Sequence, residues 1–91
     1  MPDAVIDNEA QHRFEMNTGG DIAVANYQLA SGIITFTHTE VPPVLQGRGI
    51  ASQLVRGALE AARAKRLKVV SRCSFVSDYL AKHPEFNDLV R

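Results

Sequence analysis

The stretch EVPPVLQGRGIASQLV, residues 40–55, is where the hydrophobic period of this chain changes from two to about four. Upstream, HRFEMN (12–17) places Phe14 and Met16 on one face and ends in the turn signal TGGD. DIAVANYQLA (21–30) alternates loosely, with Ile22 and Val24 opposite Ala23, Ala25, Tyr27 and Leu29. After the turn at Ser31-Gly32, IITFTHTEV (33–41) is rich in β-branched residues. Its simple alternation sets Thr35, Thr37 and Thr39 on one face and Ile34, Phe36, His38 and Glu40 on the other. Turns this short join antiparallel neighbours. AVIDN (4–8) reads as a further edge strand.

Pro42 and Pro43 end the ladder, because proline has no N–H to donate. Downstream, Ile50, Leu54, Ala58 and Ala62 recur every four residues beside Ala51, Val55 and Leu59. Ser52, Arg56, Glu60 and Arg63 take the far side. The spacing predicts an amphipathic helix of about 16 residues ending near Lys65 or Arg66. Gly57 costs such a helix about 1 kcal/mol against alanine, so it marks a place where another element packs close. LKVVSRCS (67–74) reads as a strand returning parallel to 33–41. SDYLAKH (77–83), opened by Ser77 as N-cap, reads as a short helix, and HPEFNDLV closes with Phe86, Leu89 and Val90 as an apolar patch. The expected fold is α/β (α+β): an antiparallel meander, then helix, strand and helix, giving a mixed sheet with helices packed on it.

The glycines of GRG admit two readings. They are a plain strand-to-helix turn whose dihedrals require glycine, or a cradle where an anion meets the N–H groups at the positive end of a helix. In the second case Arg48 adds a cation. Two known phosphate loops do not fit. A P-loop needs Lys-Ser or Lys-Thr after its second glycine, where Ile50-Ala51 stands. The dinucleotide fingerprint wants glycine or alanine at 52, where Ser52 stands, within an early βαβ unit.

At 91 residues the chain has the length of one domain, residues 1–91, near the lower limit for independent folding. Ten basic and ten acidic residues cancel, which argues against a nucleic-acid or anionic-membrane partner. MPDAVIDNEAQ has no basic segment followed by an apolar one, and no run approaches a membrane span. The lone Cys73 suits a reducing compartment, and the expected location is cytoplasmic. No metal-ligand spacing is present, so no metal is expected.

Gln46-Gly47-Arg48-Gly49-Ile50-Ala51 resembles the Q/R-x-x-G-x-G/A signature of the GNAT superfamily of acyl-CoA-dependent N-acetyltransferases. It also stands where that signature does, opening the long helix after the central strand. With the cysteine-bearing strand and the closing Tyr79…His83-Pro84-Glu85-Phe86, the region from about residue 13 onward is similar to compact GNAT-like proteins of this length. The resemblance implies acetyl-CoA or coenzyme A as cosubstrate. Its pyrophosphate would lie on the loop, contacted by Val41, Gln46, Gly47, Arg48, Gly49, Ile50, Ala51 and Ser52, with Cys73 toward the acyl end. Full-length GNAT enzymes add helices between the first two strands and a terminal hairpin that close over the amine acceptor. This chain has no room for them.

Four residues are candidates for chemistry. Cys73 would accept the acyl group or wall its site, or is simply a small buried hydrophobe. Glu40 and His38, sharing a face in the simple alternation, would deprotonate an amine, or serve only the sheet surface. Tyr79 would donate to the leaving thiolate, as the resemblance suggests, or only pack. His83 is read as structural or as a coenzyme contact. Two functions follow: a small acetyl-CoA-dependent N-acetyltransferase acting on an unidentified amine, or a coenzyme-A-binding module without catalysis of its own.

Overall fold

The computed structural model describes residues 4–91. Residues 1–3, part of the stretch read above for a signal sequence, lie outside the described residues. Strands β1 (Val5–Asn8), β2 (Arg13–Thr18), β3 (Asp21–Ala30) and β4 (Ile33–Glu40) form an antiparallel meander. Helix α1 (Ile50–Ala64) leads to β5 (Lys68–Ser71), which pairs parallel to β4 and completes a five-stranded sheet in sequence order. Helix α2 (Ser74–Lys82) follows, and single 3-10 turns occupy Glu9–Gln11, Pro43–Leu45 and Pro84–Phe86. The mixed α+β architecture is the expected one. The stretch 4–8 is indeed an edge strand, pairing only with β2.

Both helices join one cluster of buried residues with one face of the sheet. Phe14, Met16, Ile34, Phe36 and Val69 are fully buried there, each worth about 1.5–3 kcal/mol of burial. Ala23 and Ala25 on β3 and Ala58 and Ala62 on α1 are also fully buried, and these small side chains let the helix lie close on the sheet. Gly57 takes this closeness furthest. A Cβ at that position would stand 2.6 Å from Val5 Cγ2 and 2.7 Å from Val5 Cβ, so the glycine marks the contact of α1 with β1. Asp7 ties the same region together, accepting from the Tyr27 hydroxyl at 2.6 Å and the Lys65 ammonium at 2.7 Å. Among the described residues no helix packs on the opposite face of the sheet. Its Ile6 and Ile22 are exposed, and Val24, Asn26, Thr35 and Val70 are half-buried.

Two local readings require correction. The alternation assumed for 33–41 fails at Thr37. Asn26 pairs with His38 while Tyr27 pairs with Phe36, so Thr37 is an extra residue, a β-bulge. Beyond a bulge every side chain changes face. Thr39 therefore pairs with buried Ala25 on the helix side, and His38 and Glu40 pair with Asn26 and Val24 on the open side. They do not share the face of Ile34 and Phe36. The second correction concerns β5, which stops at Ser71 rather than running to 74. Arg72 N–H still reaches the Phe36 carbonyl at 2.8 Å, but past the bulge β4 offers no further partner. The chain turns directly into α2, with Cys73 as N-cap and its carbonyl accepting from Ser77 N–H at 3.0 Å. Ser77 is thus inside the helix, its hydroxyl 2.8 Å from that of Ser71.

Candidate functional site

The parting of β4 and β5 after Phe36 leaves a fork, and the β4–α1 connection folds beside it. Pro43 begins a single 3-10 turn, which buries Leu45. Gly47 and Gly49 follow with φ of 81° and 73°, in the left-handed region, and Gly49 is the N-cap of α1 with no side-chain cap. A Cβ on either would meet nothing within 4 Å. The conformational demand for glycine is therefore real, and so is the open space above the backbone. The first helical bond runs from Gln53 N–H to the Gly49 carbonyl at 3.1 Å. The N–H groups of Ile50, Ala51 and Ser52 consequently have no acceptor within the helix, and the positive end of its macrodipole lies behind them.

These groups border a cleft of about 210 Å³ lined by Val41, Leu45, Gln46, Gly47, Gly49, Ile50, Ala51, Ser52 and Phe75. Most of the lining is apolar, and the residues that carry the free N–H groups are part of it, an arrangement suited to a diphosphate with an aliphatic arm. Gln46 donates to the Val41 carbonyl at 3.2 Å and pins the loop to the end of β4. Of the expected coenzyme residues, Arg48 and Cys73 are absent from this lining; Arg48 is exposed. Phe75, from the first turn of α2, was not singled out in the sequence. Its place followed only once α2 began at Ser74.

Cys73, two residues before Phe75, is buried, its sulfur 3.4 Å from the Thr39 hydroxyl. Burial pushes this thiol up. Hydrogen bonds from the Thr39 side chain and from the backbone N–H groups of Val76, Phe75 and Thr39 outweigh it, and the net direction is below the ordinary thiol value. The N-terminus of α2 thus supplies what no neighbouring cation does. Thr39 is a second residue that sequence reasoning missed, because only the bulge turns it toward Cys73.

The remaining candidates are not gathered here. His38 and Glu40 lie on the opposite face of the sheet, both exposed. Tyr79 is buried, stacked on His83 with ring centroids 3.9 Å apart. Its hydroxyl, beside Arg56, holds the guanidinium's pKa above its ordinary value. Arg56 and Arg63 in turn lie over the Phe86 ring at 5.6 and 5.5 Å. Among the described residues no three His, Cys, Asp or Glu side chains are grouped to hold a metal ion, and no helix is long and apolar enough to cross a membrane.

Residues 13–89 match the model of the GCN5-related N-acetyl-transferase family. The chain belongs to that family. The chain is 33% identical over 75 residues to Protein NATD1 of Gallus gallus, covering 81% of this chain and 68% of that one. It is 32% identical over 83 residues to Protein NATD1 of Mus musculus, covering 87% and 76%. The solution structure of a GCN5-like protein from Staphylococcus aureus superposes with a TM-score of 0.73 at 25% identity, covering 97% of this chain and 87% of the other. The family match begins at β2 and ends one residue before Val90, so the glycine loop, the fork and α2 all fall within it.

Proposed function

We infer that this chain is a small acetyl-CoA-dependent N-acetyltransferase. The observation that carries the reading is the pair of left-handed glycines beneath open space at the N-terminus of α1, in a chain of this family. The coenzyme pyrophosphate would take the free N–H groups of Ile50, Ala51 and Ser52, as anions do at helix N-termini. The cleft is too small for the whole coenzyme, so the adenosine lies outside it, and Arg48, exposed beside the loop, is free to meet a phosphate there. The pantetheine arm would run past Val41 and Phe75 toward the fork.

At the thioester the amine attacks the carbonyl carbon, the carbon–sulfur bond breaks, and the electron pair leaves with the coenzyme sulfur. The amine proton ends on that sulfur. Direct attack needs a held, deprotonated amine and no protein nucleophile. Cys73, buried and already bonded to Thr39, serves as a wall of the acyl site. Tyr79, engaged with Arg56 and His83, holds α2 against α1; its role is in packing.

Thermal unfolding with and without coenzyme A tests the reading. At a hundred times its dissociation constant a ligand stabilises by about 2.7 kcal/mol, and each kcal/mol is worth roughly 4–8 °C in a domain of this size. A rise of ten degrees or more, about the product of those values, is expected. An unchanged transition at millimolar coenzyme A refutes it.

A further inference from the structure

The open face of the sheet holds a hollow of about 330 Å³ where β3, β4 and β5 run side by side, lined by Gln28, Ala30, Ile33, Thr35, Val70, Arg72 and Arg91. Both of its charged residues are arginines. Elsewhere in the molecule Arg13, Arg56, Arg63 and Lys65 each stand within 3.3 Å of a carboxylate oxygen. The guanidinium groups of Arg72 and Arg91 are exposed and have no partner among the described residues.

The backbone fixes where these two side chains start. Arg72 N–H donates to the Phe36 carbonyl at 2.8 Å, the last bond between β4 and the chain of β5 before the fork. On the outer side of β5, Val90 bridges Val69 in parallel, and Arg91 N–H donates to the Val69 carbonyl at 3.0 Å. Side chains alternate along an extended chain, so both arginines take the side of Val70 and not that of buried Val69. Gln28, Thr35 and Val70 form a row across the three strands on that side. The Thr35 hydroxyl and the Gln28 amide are also without side-chain partners among the described residues. Val70, Ile33 and Ala30 supply apolar surface.

Of the carboxylates on this face, Glu15 is bound by Arg13, and Glu40 lies past the bulge, outside this lining. Two like charges therefore face one hollow that has no acidic side chain, and their repulsion is relieved when an anion enters. The hollow shares no residue with the glycine-loop cleft.

We propose that this hollow is a second ligand site, one that takes a carboxylate carrying a short apolar body. The planar forks of Arg72 and Arg91 match a carboxylate group, Thr35 and Gln28 add uncharged donors, and Val70, Ile33 and Ala30 cover the apolar part. The site stands whether or not the coenzyme reading does, since the two hollows are built from different residues.

The test is an amide NMR titration of the whole chain with phenylacetate, and separately with acetate, inorganic phosphate and phenethylamine. Phenylacetate is expected to shift the amides of Gln28, Thr35, Val70 and Arg72. Acetate and phosphate, which lack the apolar body, bind more weakly, and phenethylamine leaves these amides unmoved. Arg72→Gln and Arg91→Gln, both at exposed positions, keep the fold, and each weakens phenylacetate binding roughly two- to fivefold, as for an exposed ion pair. Lys82→Gln removes the same charge from α2, which packs on the other face, and binds phenylacetate as the wild type does. Saturation with coenzyme A leaves the phenylacetate dissociation constant unchanged. Shifts confined to Ile50, Ala51 and Ser52 would put the anion at the α1 N-terminus and overturn the proposal. So would unweakened binding by both arginine variants, equal weakening by Lys82→Gln, equal binding of acetate, phosphate or phenethylamine, displacement by coenzyme A, or no shifts at all.

Discussion

Gly49→Ala separates the two reasons a glycine can stand at a helix N-terminus. Residue 49 has φ of 73°, and an added Cβ meets no atom within 4 Å. The substitution therefore costs the free protein only the left-handed conformation, about 1–2 kcal/mol. At roughly 4–8 °C per kcal/mol that lowers the melting temperature by roughly 4–16 °C. If the open space is where a pyrophosphate approaches the backbone, affinity falls for a different reason. Losing one hydrogen bond to a charged group costs about 1.5–3 kcal/mol, a factor of roughly 10–150 in dissociation constant.

Calorimetric titration of coenzyme A well below both unfolding transitions measures this second loss without the first. Gly32→Ala supplies the control. Gly32 has φ of 77° and is equally uncrowded, but it belongs to the β3–β4 turn and not to the cleft. It should lose comparable stability and no affinity. Equal affinities for wild type and Gly49→Ala would mean that the glycine answers only to its dihedral angles, and the cradle would fall.

Gly57→Ala should act in the opposite way, through contact and not conformation. Helix propensity favours alanine by about 1 kcal/mol, but overpacking costs about 1–3 kcal/mol, and Val5 at 2.6 Å must move. A net loss of stability in urea denaturation is expected, little relieved by adding Val5→Ala because the Val5 Cβ itself stands at 2.7 Å; a stabilised variant would contradict the packing argument. For Cys73, alkylation rate against pH should inflect below the pH at which the unfolded chain's thiol does, and at a higher pH in Thr39→Val, which lacks the donating hydroxyl. Between the folded and unfolded thiol pKa values the unfolded chain binds more protons, so the thiol's contribution to stability rises with pH across that window and is lost as pH falls through the folded value. Identical profiles for the two proteins would remove Thr39 from the account.

What was legible in the sequence was what local chemistry decides. Gly47 and Gly49 announce left-handed turns, Pro42 and Pro43 end a ladder, and the four-residue recurrence from Ile50 to Ala62 requires a helix wherever it packs. Gly57 was readable as a close approach, though not which residue approached. The family's loop and its place in the chain were readable together. Side-chain direction along β4 was not, because it depends on a register set by another strand. Nothing in IITFTHTEV tells that Asn26 and Tyr27, neighbours on β3, pair with residues two apart on β4.

That one extra residue rearranges the site. It frees the far half of β4 from β5, whose chain then turns into α2 with Cys73 at its N-cap. It turns Thr39 toward the Cys73 sulfur and sends His38 and Glu40 to the open face. A reading by alternation alone puts the carboxylate beside Ile34 and Phe36, on the buried face. With the bulge, the thiol and the carboxylate stand on opposite sides of the sheet. An acyl donor entering over the glycine loop, as proposed above, would then lie on the side of the thiol and not of the carboxylate. On the direct-attack reading proposed above, the cysteine does not have to carry the acyl group.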